Sequence, residues 1–148
     1  MAQRRRSFAI VASRYNYEYV QGLIENVKKE MTVLSPGAAI TVHEVPGAFE
    51  IPLIVQEVAA RGSVEAILAL GVIIQGETEH ARLIAQAVTD SLQRLGLHYK
   101  VPVIHGVLLV ADEKQARARC LEGELNRGVE AARAAVRMSQ LIQQTRER

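Results

Sequence analysis

Apolar and polar positions along this 148-residue chain switch repeatedly between short buried runs and helical spacing. Phe8 to Ala12 is a short apolar run and reads as a buried first strand. Tyr17 to Leu34 follows, with Val20, Leu23, Ile24, Val27 and Met31 at helical spacing, and Asn16 stands ahead of it as an N-cap. Ser35-Pro36-Gly37 ends that helix. Ala39 to Val45 alternates and predicts a second strand, and Pro46-Gly47 turns the chain into a helix over Ile51 to Ala60, with Pro52 tolerable in its first turn. Ala66 to Leu70 predicts a third strand. Gly71 then reads as a turn, and Leu83, Ile84, Ala87, Val88, Leu92 and Leu95 share one face of a helix ending at Gly96. Val101 to Val110 predicts a fourth strand. Asp112 opens a helix, with Gln115 three residues on as a capping box. A break near Gly123 precedes a last helix over roughly Arg127 to Gln143.

Strands alternating with helices imply a parallel sheet between two helix layers. The expected class is α/β: a three-layer α-β-α sandwich with a four-stranded, parallel, flavodoxin-like sheet. The length suits one domain over residues 1–148, with 1–6 as a mobile terminus. The hydrophobic fraction is 49% but the aromatic fraction only 4%, so the core is aliphatic, as a covered parallel sheet requires. Formal charge is +2, concentrated at Arg4-Arg5-Arg6 and Arg146/Arg148. Nothing aromatic or basic continues the arginine run, so no nucleic-acid partner is expected. No membrane partner is expected either, because no apolar run approaches the ~20 residues a span needs. The arginine run is not followed by a signal-peptide pattern, and the single Cys120 excludes an internal disulfide. A reducing, cytoplasmic setting fits.

Ligands in open parallel sheets bind at the C-terminal ends of strands. Three segments fall there: Ser13-Arg14-Tyr15-Asn16, Val45-Pro46-Gly47-Ala48-Phe49-Glu50, and Gln75-Gly76-Glu77-Thr78-Glu79-His80. Free backbone N–H groups at the helix start after Thr78 favour an anion. His80 beside it is placed for proton transfer near neutral pH, or is a structural histidine. Tyr15 either anchors its loop or stacks on a planar heterocycle. The chain has two Phe and four Tyr, so finding Tyr15 and Phe49 in pocket loops is informative. Asn16 reads as a cap or a ligand contact, and Glu50 as a first-turn carboxylate or a reader of a hydroxyl group. Arg119 lies on a helix that would normally turn it to solvent. His43, His98 and His105 lack metal-ligand spacing, so no metal is expected. Phosphate-loop, dinucleotide and nucleophile-elbow patterns are absent.

Taken together, the segments resemble a known family. Val45-Pro46-Gly47-Ala48-Phe49-Glu50-Ile51-Pro52 and Leu70-Gly71-Val72-Ile73-Ile74-Gln75-Gly76-Glu77-Thr78-x-His80 are similar to the two signatures of lumazine synthases. Arg14-Tyr15-Asn16, Pro102-Val103-Ile104-x-Gly106-Val107 and Asn126-Arg127-Gly128-x-Glu130-Ala131-Ala132 resemble further segments, in order from about Phe8 to Met138. The family joins 5-amino-6-ribitylamino-uracil to 3,4-dihydroxy-2-butanone 4-phosphate, losing phosphate and water and using no cofactor or metal. The resemblance implies the following roles. His80 is the general acid/base. Tyr15 stacks on the pyrimidine, where relatives have Phe or Trp. Asn16, Ala48 and Glu50 hold the ribityl chain, with Phe49 in the same loop. Val72, Ile73 and Ile74 line the ring pocket, and Glu77, Thr78 and Arg119 bind phosphate. Arg119 and the segment around His105 reach the site from a neighbouring subunit, and Arg127 and Glu130 support it. The implied partners are the small-molecule substrates, further copies of the chain in a pentamer or pentamer-based shell, and, as one more candidate, riboflavin synthase.

The chain departs from the family pattern at His105, where relatives often have Phe, and at Arg127, where a lysine is usual. Gln75 replaces a common Arg, and Leu108-Leu109-Val110-Ala111 replaces a Thr-rich segment. His105 motivates a second reading, a catalytically weak flavin- or lumazine-binding homologue. The Ala-rich last helix motivates a third, a shell-forming scaffold.

Overall fold

The computed structural model describes residues 5–76 and 79–147. Four strands, β1 (Ser7–Ser13), β2 (Ala39–Val45), β3 (Ala66–Ile74) and β4 (Val103–Val110), form one parallel sheet in the order β2-β1-β3-β4. The helices are α1 (Tyr17–Leu34), α2 (Ile51–Arg61), α3 (Ala81–Tyr99), α4 (Glu113–Cys120) and α5 (Arg127–Arg146), with a 3-10 turn at Ala48–Glu50. Strand side chains alternate between two cores. Phe8, Ile10, Leu68 and Leu70 pack under α1, α4 and α5, while Ala9, Val11, Ile67 and Ala69 pack under α2 and α3. The central strands β1 and β3 are apolar on both faces because both faces are covered. The three-layer α/β expectation holds.

Several boundaries differ from the sequence reading. Gly71 is not a turn. It lies inside β3, which continues through Ile74, and a Cβ there would sit 2.9 Å from Ser13 Oγ. Glycine lets the centre of the sheet close on β1. The turn glycine is Gly76, at φ 91°. Gly96 does not end its helix either; α3 runs to Tyr99 and stops where Lys100 turns left-handed. β4 starts two residues later than expected, at Val103.

Arg5 and Arg6 are engaged. Arg5 Nε donates to Gly37 O at 2.9 Å, and Arg6 Nη1 reaches Ser139 Oγ at 3.5 Å. With Lys100 and Arg146, they line a cleft of about 970 Å³ at the N-terminal ends of the strands. Arg146 Nη2 there caps the Lys100 carbonyl at 2.6 Å. The C-terminal ends of α1, α2, α3 and α5 converge on this side, so these cations answer helix dipoles and unpaired carbonyls.

Asn126 organises the turn into α5. It is 2% exposed. Its Oδ1 accepts from the N–H groups of Gly128 and Val129, while its Nδ2 donates to the carbonyls of Cys120 and Glu122. Gly128 beside it allows α5 to touch α1, since a Cβ would fall 2.6 Å from Leu23 O. Cys120, buried below, has its thiol pKa pushed up by burial to about 12 and is chemically inert.

Candidate active site

The C-terminal ends of β1, β2 and β3 bring three predicted segments together. Arg14 N–H donates to Val45 O at 2.8 Å and Tyr15 N–H to Pro46 O at 3.1 Å, extending the β1–β2 ladder into the loops. The 3-10 turn Ala48–Glu50 then packs against α3, β1 and β3. Tyr15, Phe49 and Glu50 are exposed along this rim of the sheet and Ala48 is half-buried. Tyr15 and Phe49 are 59% and 64% exposed, so neither ring is needed by this chain's own core.

Asn16 corrects one expectation. It occupies the position ahead of α1 in a left-handed conformation (φ 59°, ψ 44°), but its side chain caps nothing. Its Nδ2 donates across the sheet end to Val72 O at 2.7 Å. Asparagine tolerates this backbone region better than most residues. The bond holds the Arg14–Asn16 loop against β3.

Glu50 is fixed by a local bond. One carboxylate oxygen accepts from Gly47 N–H at 3.1 Å, leaving the other free on the exposed rim. Val72 and Ile74 are 2% and 5% exposed and belong to the core under α1, α4 and α5. They can offer a ligand their backbone but not their side chains. Ile73 points to the opposite face and is half-buried.

His80 stands immediately before α3 rather than within its first turn, and its carbonyl accepts the Ile84 N–H at 2.9 Å. It is exposed. Glu77 and Thr78 lie outside the described residues.

The remaining candidates are elsewhere. Arg119 is half-buried on α4, which packs with α1 and α5 on the face of the sheet opposite α3. One chain therefore does not bring Arg119 beside His80. Arg127 and Glu130 pair with each other at 2.9 Å on the exposed start of α5. The capping box at α4 is shifted by one residue: Asp112 Oδ1 accepts from Gln115 N–H, but Gln115 Oε1 reaches Ala111 N–H.

His105 lies on β4, at the sheet edge farthest from β2. Its Nδ1 accepts from Val107 N–H at 3.2 Å, and its Nε2 is 2.7 Å from Thr89 Oγ1 on α3. A nitrogen that accepts an N–H carries no proton, so the ring is neutral with hydrogen on Nε2, which donates to Thr89. Desolvation beneath α3 lowers its pKa. Gln75, Arg82, Gln86, Thr89, Asp90 and His105 border a cleft of about 480 Å³. Sequence reasoning missed Thr89, because only the α3–β4 packing brings it to His105.

Among the described residues, no three of His, Cys, Asp and Glu gather closely enough to hold a metal ion, and no helix is long and apolar enough to cross a membrane.

The sequence has relatives among known proteins. Residues 5–143 match the family model for 6,7-dimethyl-8-ribityllumazine synthase. The chain belongs to this family. A protein of that name from an Azoarcus species is 38% identical over 134 residues, covering 90% of this chain and 83% of the relative. The Coxiella burnetii relative is 37% identical over 145 residues, covering 97% and 96%. The Chlorobium limicola relative is 39% identical over 140 residues, covering 93% and 89%. A de novo designed Rossmann-fold protein overlays with a TM-score of 0.39 at 18% identity, covering 76% of this chain and 90% of the design.

Proposed function

We propose that this chain is a 6,7-dimethyl-8-ribityllumazine synthase, a transferase of riboflavin biosynthesis. It condenses 5-amino-6-ribitylamino-uracil with 3,4-dihydroxy-2-butanone 4-phosphate. The observation that carries the reading is the family match over residues 5–143, supported by relatives whose own lengths the chain covers by 83% or more. The pyrimidine amine attacks the ketone and water leaves as an imine forms. Phosphate is then eliminated and the second ring closes with loss of another water. His80 moves the protons of these steps. Tyr15 provides a free aromatic face for the pyrimidine, and Asn16, Ala48, Phe49 and Glu50 shape the ribityl side. Ile73 and the backbone of Val72 and Ile74 border the ring. Glu77, Thr78 and Arg119 hold the phosphate. Little covalent machinery is needed, because fixing two substrates in register supplies much of the rate.

The site is shared between copies. Tyr15, Phe49 and His80 cluster around the ends of β1 to β3, while His105 lies on the outer edge strand and Arg119 on the opposite face. A copy that brings its β4 edge to a neighbour's β1–β2 loops completes the pocket. Such a contact is head-to-tail and closes into a ring, in keeping with a pentamer or a pentamer-based shell. Phe49, Leu53, Leu83 and Leu97, all more than 60% exposed, supply apolar surface to cover. A cytoplasmic setting and a hand-over of product to riboflavin synthase complete the proposal.

The test mixes the purified protein with both substrates and follows lumazine absorbance and fluorescence against the enzyme-free reaction. Product above that background, lost in large part with R119A and in smaller part with H80A, is expected. A folded, oligomeric protein giving only background product, yet binding riboflavin, would favour the flavin-binding homologue instead.

A further inference from the structure

We propose that Thr89 is a positioning residue for the pyrimidine substrate: with Val107 N–H it clamps the His105 ring in one plane and one tautomer, so that the ring presents a fixed face to the ligand held by a neighbouring copy. The inference rests on the shared-site reading above.

A histidine ring that faces a ligand raises two problems. Its χ2 torsion is broad, so the plane is poorly defined by rotamer preference alone. Its two nitrogens are also strongly polar, and unpaired they would need water just where a heterocycle should lie. The structure answers both with one pair of bonds. Val107 N–H meets Nδ1 at 3.2 Å from within the same strand, and Thr89 Oγ1 meets Nε2 at 2.7 Å from α3. Bonds at both ring nitrogens fix the plane, and the backbone donor dictates which nitrogen carries hydrogen. The nitrogens are then committed within the chain, and what remains for a ligand is the ring face. Thr89 still has its own hydroxyl hydrogen to donate toward the cleft it shares with Gln75, Gln86 and the charged Arg82 and Asp90. A valine at 89 would keep the shape and remove the acceptor.

Two measurements test the clamp. In the unliganded protein, ring nitrogen shifts of His105 are expected to show the Nε2–H tautomer alone. The T89V variant keeps the Val107 donor and so should keep that tautomer, but its ring loses the second tether and should change plane, seen as altered ring-proton shifts and nuclear Overhauser contacts to α3. A wild-type ring in the Nδ1–H form would overturn the clamp whether or not the protein condenses its substrates. In steady-state assays, T89V is expected to raise KM for the pyrimidine about fivefold, the effect of one ordinary hydrogen bond, with kcat and the KM for the butanone phosphate nearly unchanged. H105F has no ring nitrogen for Thr89 to hold, so in that background the T89V effect on pyrimidine KM should vanish. An equal KM rise in both backgrounds, or a rise in both KM values together, would mean that Thr89 acts on the fold generally and would refute the positioning role. Absence of product from the wild type would instead sink the shared-site reading and leave the tautomer result standing.

Discussion

Replacing Asn16 separates two contributions that the fold combines at one position. Asn16 is left-handed at φ 59°, and its side chain crosses to Val72 O at 2.7 Å. Alanine removes the hydrogen bond, at about 1 kcal/mol. It also gives up asparagine's better tolerance of a left-handed backbone, at about another 1 kcal/mol. Glycine removes the bond but relaxes the backbone. N16A should therefore lose about 2 kcal/mol and N16G about 1 kcal/mol of unfolding free energy. Urea unfolding followed by circular dichroism reads the difference. With a slope of about 2 kcal/mol per M, N16A should unfold roughly 1 M earlier than wild type and N16G roughly half as far. Protomer concentration must be held constant, since association adds to apparent stability. Both variants should also raise the pyrimidine KM, because the Arg14–Asn16 loop loses its tie to β3. Equal midpoints for N16A and N16G would refute the backbone part of the argument. Midpoints within 0.1 M or so of wild type would refute the bond.

Other outcomes follow from the same structure. G71A puts a Cβ 2.9 Å from Ser13 Oγ and 3.4 Å from Ile51 and Val107 atoms, so it should cost about 1–3 kcal/mol and lower the melting temperature, with S13G recovering part of the loss. N126A removes a cap and orphans the carbonyls of Cys120 and Glu122, and should cost about 2–3 kcal/mol; N126D keeps the cap acceptor but still loses the two donors, and a wild-type midpoint for N126D would show that those donors do not matter. His105 has a folded pKa below its unfolded value near 6.5, so the unfolded chain binds more protons between the two. Its stabilisation is present above about pH 6.5 and is lost as pH falls through the folded pKa. Unfolding free energies of wild type minus H105F should therefore decline on acidification over that window, and a flat difference would contradict the neutral, hydrogen-bonded ring.

The order of elements was legible because two covered faces and aliphatic strands leave a strong contrast between periods. What failed did so for local physical reasons. Gly71 looked like punctuation, yet it is a strand residue whose missing side chain makes room for Ser13. Gly96 looked like a stop, but α3 is held by packing on its neighbours and ends only at Lys100. The loop segments were found because they follow strand ends, which sequence order specifies. Tyr15, Phe49 and Glu50 are exposed in the segments that follow β1 and β2. The side-chain partners were not legible. Asn16 to Val72 spans 56 residues and Thr89 to His105 spans 16, and each depends on how helices settle on the sheet. Val72 and Ile74 alternate with Ile73, so a strand that continued past Gly71 necessarily took two of the three side chains into the core.

Placing His80 and Arg119 on opposite faces of one sheet gives the protein a genetic signature as well as a geometric one. Under the shared-site reading, each pocket draws His80 from one copy and Arg119 from the next. An H80A chain and an R119A chain are then each defective alone, yet a junction between them in one orientation holds both native residues. Random co-assembly in equal amounts would restore roughly a quarter of all junctions and leave another quarter doubly defective. Two crippled alleles expressed together would thus complement each other. A site housed within a single fold could never do so, however the chains were mixed.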